Sequence, residues 1–161
     1  MRWLIPLILL LLHGPVLAAA RFEARVLRVK DGDSVVVEQL LARRRSEIRL
    51  AGIDAPEYSQ PWGLQARAAL SRMLGRGDVT VEVVDRDRYH RLVARVWAGR
   101  RYVNAEMVRS GNAWAFDRYV PDREIRAAEA AARRARAGLW ALPPEDRLPP
   151  ATWRALHPRR D

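Results

Sequence analysis

The stretch from Phe22 to Leu40, FEARVLRVKDGDSVVVEQL, decides the fold. Apolar and polar side chains alternate from Phe22 to Val29, which is the spacing of a strand with one buried face. Asp31-Gly32-Asp33 interrupts the run, and Ser34 to Leu40 resumes it with β-branched residues. Two such runs around an Asp-Gly turn predict a hairpin in which Gly32 takes a positive φ. Beyond it, the basic turn Arg43-Arg44-Arg45-Ser46 leads into a third strand near Glu47 to Ile53. Pro61-Trp62-Gly63 precedes a helix with Leu64, Ala68, Leu70 and Leu74 roughly on one side, closed by Gly75 to Gly77. Val79 to Val84 and Leu92 to Trp97 read as two further strands, joined by the charged turn Asp85 to Arg91.

The C-terminal half reads as helical. Asn104 is placed to cap a short helix to Ser110 that Gly111 stops. Asp122 opens a longer helix with Ile125, Ala128, Ala132, Ala135 and Leu139 on one stripe, supported by Asp122/Arg126 and Glu129/Arg133 pairs. Five short strands in the order hairpin, third strand, helix and two more strands predict an α+β domain with a mainly β core. The expected architecture is a five-stranded barrel of the oligonucleotide-binding type with about three helices.

That domain is expected over residues 21–140. Residues 1–20 read as an export signal: Arg2 supplies the positive start, Trp3 to Leu12 the apolar run, and Ala18 and Ala20 the small residues before a cut. Interrupted by Pro6 and His13, the run falls short of the ~20 residues a spanning helix needs, so no stable membrane span is expected after cleavage. A periplasmic or secreted monomer follows as the expectation. The absence of cysteine neither supports nor opposes export. Residues 141–161 form a tail rich in proline and arginine, expected to have little structure of its own, with Trp153 its only large apolar anchor.

The net charge is +10, carried almost wholly by arginine. Such a surface attracts polyanions, with nucleic acid the first candidate and acidic membranes or polyanionic glycans behind it. Charge does not choose among them.

The chemistry lies at strand ends. Asp31-Gly32-Asp33 by itself reads first as a turn with its acids in water, and it lacks the further acids of an EF-hand loop. Its company matters more. In Ile48-Arg49-Leu50-Ala51-Gly52-Ile53-Asp54-Ala55-Pro56-Glu57, an apolar strand carries Arg49 inward, ends on Asp54 and projects Glu57 from a proline-stiffened turn. A solvated turn would account for Asp54 and Glu57 but leaves Arg49 as a charge among apolar residues without a partner. Oxygen donors for a hard cation, guanidinium forks for a phosphate and a spare carboxylate for a proton are the parts of a metal-assisted phosphodiesterase. No cysteine, and no recognisable Ser/His/Asp arrangement, offers a covalent nucleophile, so water is the expected attacking group.

These segments resemble the staphylococcal nuclease-like thermonucleases. The resemblance rests on Asp31-Gly32-Asp33-Ser34, on Arg49 with Asp54-Ala55-Pro56-Glu57, on Gln60-Pro61-Trp62-Gly63, on Asp87-Arg88-Tyr89-His90-Arg91 and on Gly138-Leu139-Trp140, all in the family's order. It implies Ca²⁺ held by Asp33, Asp54 and the main-chain oxygen of Ala55, with Mg²⁺ open as the alternative. It implies Arg49 and Arg91 on the scissile phosphate, Glu57 as the candidate general base, and Arg88 and Tyr89 on a nucleotide phosphate. The products implied are DNA or RNA fragments with 3′-phosphate ends. Asp31 is left to shape the turn or support the metal ligands from behind, and Tyr119 is the best candidate for stacking on a base. Two departures stand out. Ala55 replaces a threonine of the best-known member, and the interval from Asp33 to Arg49 is longer, with the extra residues assigned to the Arg43 turn. His90, Met73 and Met107 are read as an exposed neighbour and core filling, and at least two of Trp114, Phe116 and Tyr119 as core. The expectation is an exported, Ca²⁺-dependent nuclease; the alternative is a non-catalytic nucleic-acid-binding barrel.

Overall fold

The computed structural model describes residues 20–75, 77–118 and 121–158. Residues 1–19 of the expected signal, and Tyr119, lie outside the described residues. The hairpin forms where the alternation places it: β1 (Arg21–Val29) pairs antiparallel with β2 (Ser34–Gln39). β3 (Arg45–Leu50) pairs with β2, and β5 (Asp78–Arg86) joins β1 to β6 (Leu92–Ala98). A parallel pairing of β3 with β6 closes these five strands into a barrel. The register shifts in β1 between Val26 and Arg28 and in β5 between Val83 and Asp85, irregularities of the kind that let strands bend as a sheet closes. Shorter strands β4 (Ile53–Asp54) and β8 (Trp114–Ala115) pair beside the barrel, and β7 (Arg101–Tyr102) pairs antiparallel with the end of β6.

Helix α1 (Gly63–Leu74) buries Leu70 and Leu74 against the barrel, and α2 (Val103–Arg109) buries Val103 and Met107. Helix α3 (Arg123–Ala135) adds Ile125 and Ala128 to the same core, where Val35, Val37, Ile48, Leu50, Val79 and Val81 meet from the strands. Among the described residues no helix is long and apolar enough to cross a membrane.

Several local expectations are revised by tertiary contacts. Asn104 does not cap α2, whose N-cap is Tyr102. Its fully buried side-chain amide donates to the carbonyls of Ala51 (2.8 Å) and Ala94 (3.1 Å) and accepts from the Val96 amide (2.9 Å). It therefore fastens the end of β3 to β6. Asn104→Ala removes this partner from the Ala51 carbonyl and the Val96 amide, while the Ala94 carbonyl keeps the Ala51 amide (2.8 Å), and is expected to cost about 3 kcal/mol in chemical denaturation. Asp122 does cap α3, accepting from the amides of Glu124 (2.9 Å) and Ile125 (3.2 Å). With Asp122 so engaged, Arg126 pairs instead with Asp117 at 2.6 Å, while the Glu129–Arg133 pair forms at 3.2 Å. The helix stops at Ala135 because Arg136 turns left-handed (φ 50°), so Leu139 reaches its apolar partners from a 3₁₀ turn, Gly138–Ala141. Trp114 and Met107 are buried, and His90 is exposed. The described residues hold four α-helices where about three were expected, because the tail expected to have little structure holds a 3₁₀ turn (Pro144–Asp146) and α4 (Pro150–Leu156). Proline at the start of each supplies a preset φ where no amide partner is needed.

Candidate active site

One cleft of about 1160 Å³ collects the acids and arginines singled out from the sequence. It opens where the β1–β2 turn, the end of β3, the loop after β4 and the β5–β6 turn meet, and α4 contributes to its wall.

The β1–β2 turn is held by its own acid, since the Asp33 amide donates to the Asp31 carboxylate at 3.0 Å. Gly32 is needed here for space and not for a positive φ: a Cβ would stand 2.6 Å from that of Ala55 and 2.9 Å from that of Ala66. The missing side chain lets the turn seat against the loop after β4 and against α1. Gly32→Ala is expected to push the turn outward at a cost of about 1–3 kcal/mol, lowering both the melting temperature and any activity that depends on Asp33.

Asp33 is almost fully buried, accepts from the Ala55 amide (2.7 Å) and the Ser34 hydroxyl (3.0 Å), and forms an ion pair with Arg49 (3.2 Å). Arg49 also donates to Asp54 (2.9 Å) and to the carbonyls of Leu50 (3.0 Å) and Ile53 (2.9 Å). The partner the sequence left unstated is thus a pair of carboxylates from two different segments, with Arg49 between them. The Asp54 carboxyl is pushed up to about 6, by burial first and then by the negative charge of Asp33. Asp31 rises to about 6 for the same two reasons in the same order. One guanidinium does not neutralise this group of oxygens.

Arg91 is oriented by Asp87, a residue quoted in the resemblance but assigned no role there. The Asp87 carboxylate accepts from the Arg91 side chain (2.7 Å) and from the amides of Tyr89 (2.9 Å) and Arg91 (3.0 Å). Burial opposes its ionisation, yet those bonds hold its carboxyl below the usual range. The other end of Arg91 reaches the Ser34 hydroxyl at 3.4 Å, and Ser34 in turn donates to Asp33. The Arg91 side chain is 25% exposed against 10% for Arg49, so Arg91 is the more accessible of the two. Arg88 lies over the Tyr89 ring, 4.8 Å from its centroid, and both line the cleft.

Glu57 projects from the loop after β4. Its amide donates to the Gln60 side chain (3.1 Å), whose own amide group donates to the carbonyl of Leu148 (2.5 Å). Gln60 therefore ties the loop to the C-terminal segment. The Glu57 carboxylate pairs with Arg154 of α4.

The structure thus brings Asp31, Asp33, Arg49, Asp54, Ala55, Glu57, Arg88, Tyr89 and Arg91 into one cleft. Ser34, Gln60, Asp87 and Arg154 are neighbours of these residues to which the sequence assigned no role. Only Asp87 left a local signal, its i,i+4 spacing from Arg91. Among the described residues no three His, Cys, Asp or Glu side chains form a ready-made cage, so a cation bound here would complete its shell with carbonyl oxygen and water. The donors fit such an ion: all are oxygens, and their buried negative charge exceeds what Arg49 offsets.

The sequence pattern described as staphylococcal nuclease homologue matches residues 47–142. An uncharacterized endonuclease of Escherichia coli O157:H7 is 38% identical over 155 residues, covering 96% of this chain and 98% of that protein. A micrococcal nuclease of Shigella flexneri is 39% identical over 137 residues, 78% of each chain. A probable staphylococcal-like nuclease, CAN2, of Oryza sativa subsp. japonica is 36% identical over 104 residues, 65% of this chain and 28% of that protein.

Proposed function

The chain belongs to the staphylococcal nuclease family, and on that premise we propose that it is a metal-dependent nuclease that hydrolyses phosphodiester bonds of DNA, RNA or both. The observation that carries this reading is the convergence of Asp33, Asp54 and Glu57 with Arg49 and Arg91 in a single cleft. A barrel that only bound polyanions would need the arginines but not three acids among them.

Asp33, Asp54 and the main-chain oxygen of Ala55 would hold Ca²⁺, with Mg²⁺ the alternative; the bound ion supplies a Lewis acid against a phosphoryl oxygen. Arg91, aimed by Asp87, places a guanidinium edge against the same phosphate, where charge grows during in-line attack. Arg49 joins it as a phosphate displaces part of its hold on the acids. Glu57 takes one proton of the attacking water as its oxygen bonds to phosphorus; the P–O5′ bond breaks, the leaving oxygen takes a proton from solvent to become the 5′-hydroxyl, and the phosphate remains on the 3′ end. Arg88 and Tyr89 hold the neighbouring nucleotide. Tyr119 remains the candidate for base stacking, and Asp31 supports the turn that carries Asp33. Residues 1–20 direct export, with a mature monomer beginning at Arg21.

The test is incubation of the mature protein with end-labelled single-stranded DNA and RNA, with Ca²⁺, with Mg²⁺ and with chelator. Cleavage in Ca²⁺ that chelator stops, with 3′-phosphate products, is the expected result. Binding without cleavage under every condition would leave a nucleic-acid-binding barrel in its place. N-terminal sequencing of the exported fraction checks the cut before Arg21.

A further inference from the structure

The C-terminal helix α4 lies beyond the stretch that the family pattern matches, yet it lines the cleft with Trp153, Arg154 and His157. A series of contacts links the β5–β6 turn to the acids of the cleft. It runs from Tyr89 to Arg91 (5.7 Å from ring centroid to guanidinium), through Ser34 (3.4 Å) to Asp33 (3.0 Å), then through Arg49 to Asp54. Glu57 and Arg154, paired with each other, both act on Asp54 through their charges. Arg88 and Tyr89 thus join the group of acids and arginines at Arg91, and α4 joins it at Glu57 and Asp54.

What α4 presents there suits a nucleotide. Arg154 uses one guanidinium nitrogen on Glu57 while its side chain is 55% exposed, so its outer edge faces the open cleft. The Trp153 and His157 rings stack at 3.7 Å with 22° between their planes, and His157 is exposed. A cation beside an open-faced ring stack is what a phosphate and its attached base require. The remainder of α4 is mostly exposed, with Leu156 62% open to solvent, so apolar burial does not explain why this helix sits on the cleft. Arg154 ties it to Glu57 of the site's own loop, and Gln60 of the same loop holds Leu148 just before the helix.

We propose that Arg154 and the Trp153–His157 stack form a second flanking-nucleotide subsite for single-stranded DNA or RNA, beside Glu57 and distinct from that of Arg88 and Tyr89. The subsite rests on the nuclease reading of the cleft. Arg154 contacts the phosphate one nucleotide beyond the scissile bond, and the base continues the ring stack. The same guanidinium holds the Glu57 carboxylate in place, so occupancy of the subsite and placement of Glu57 are linked. Short substrates that cannot reach α4 are bound more weakly as a result.

The test uses the full mature chain and fluorescent oligothymidylates of two and eight nucleotides, titrated by anisotropy with chelator present across a range of salt. Arg154→Ala is expected to weaken the eight-nucleotide probe about fivefold or more, change the dinucleotide less than about twofold, and reduce the salt slope by about 0.7. Trp153→Ala is expected to weaken the longer probe about fivefold or more, with the salt slope unchanged. Arg134→Ala, an equal loss of charge on the exposed face of α3, is the control for non-specific attraction. Equal affinity of parent and Arg154→Ala for both probes overturns the subsite. Faster cleavage by Arg154→Ala also overturns it and makes α4 a strap over Glu57 instead. Circular dichroism and melting temperature identify any variant that has lost its fold, and Trp153→Phe then replaces Trp153→Ala, with an intermediate loss expected. Failure of the nuclease reading looks different, because the parent itself would then cleave nothing with either metal.

Discussion

Asp54→Asn is expected to abolish metal-dependent cleavage, lowering the rate by about a thousandfold or more, while the metal-free protein becomes more stable. Asparagine keeps the size of the side chain and an oxygen that Arg49 can still reach, but it removes one of the two carboxylates that would hold the cation. The stabilisation comes from the same change. Asp54 is buried beside Asp33, and its carboxyl stands at about 6 where an unfolded chain would place it near 3.8. The folded protein is therefore favoured while Asp54 keeps its proton, and that contribution is lost as pH rises through about 6. Asparagine has no proton to lose. The gap in unfolding free energy between variant and parent should be absent below about pH 4, open between 4 and 6, and reach about 1–3 kcal/mol above that. Denaturation at pH 4 and pH 8 in chelator measures it. Undiminished cleavage with chelator present would discard the metal, and a variant less stable than its parent at pH 8 would mean that the Arg49 pair outweighs the repulsion from Asp33.

Glu57→Gln separates chemistry from binding. The side chain is paired with Arg154, so the substitution removes a proton acceptor and leaves Asp33, Asp54 and Arg91 unchanged. The expected loss in turnover is about 10²–10⁴-fold, with affinity for a single strand equal to or tighter than that of the parent, because Arg154 is released from its carboxylate. Single-turnover kinetics beside anisotropy on the same oligonucleotide gives both quantities. Near-normal turnover removes Glu57 from the role of base. Weakened binding would show instead that Glu57 positions Arg154 for the substrate.

Both predictions depend on contacts that were unequally legible in the chain. The period-two pattern of Phe22 to Val29 and of Val35 and Val37 is local chemistry, and the strands formed on it. The same holds for Asp122, whose side chain reaches amides two and three residues away. Asn104 has equally good local credentials as a cap, yet three buried backbone groups on other elements outbid the first turn of α2. Gly32 looked like a glycine needed for a positive φ, but it is a glycine because the turn approaches Ala55 and Ala66 closely. Such an approach exists only after the barrel closes.

By itself the sequence determined that a hairpin-led barrel would place Asp33, Arg49, Asp54, Glu57 and Arg91 at strand ends and turns, because strand periodicity and turn chemistry act within a few residues. Only the tertiary structure decided that Arg49 sits between Asp33 and Asp54, that Asp87 and Ser34 aim Arg91, and that α4 brings Arg154 to Glu57. The Arg154 contact spans 97 residues of chain and the Asp33–Ala55 contact 22. At those separations no local pattern records a pairing; the closure of β3 on β6 and the burial of charge against charge select it.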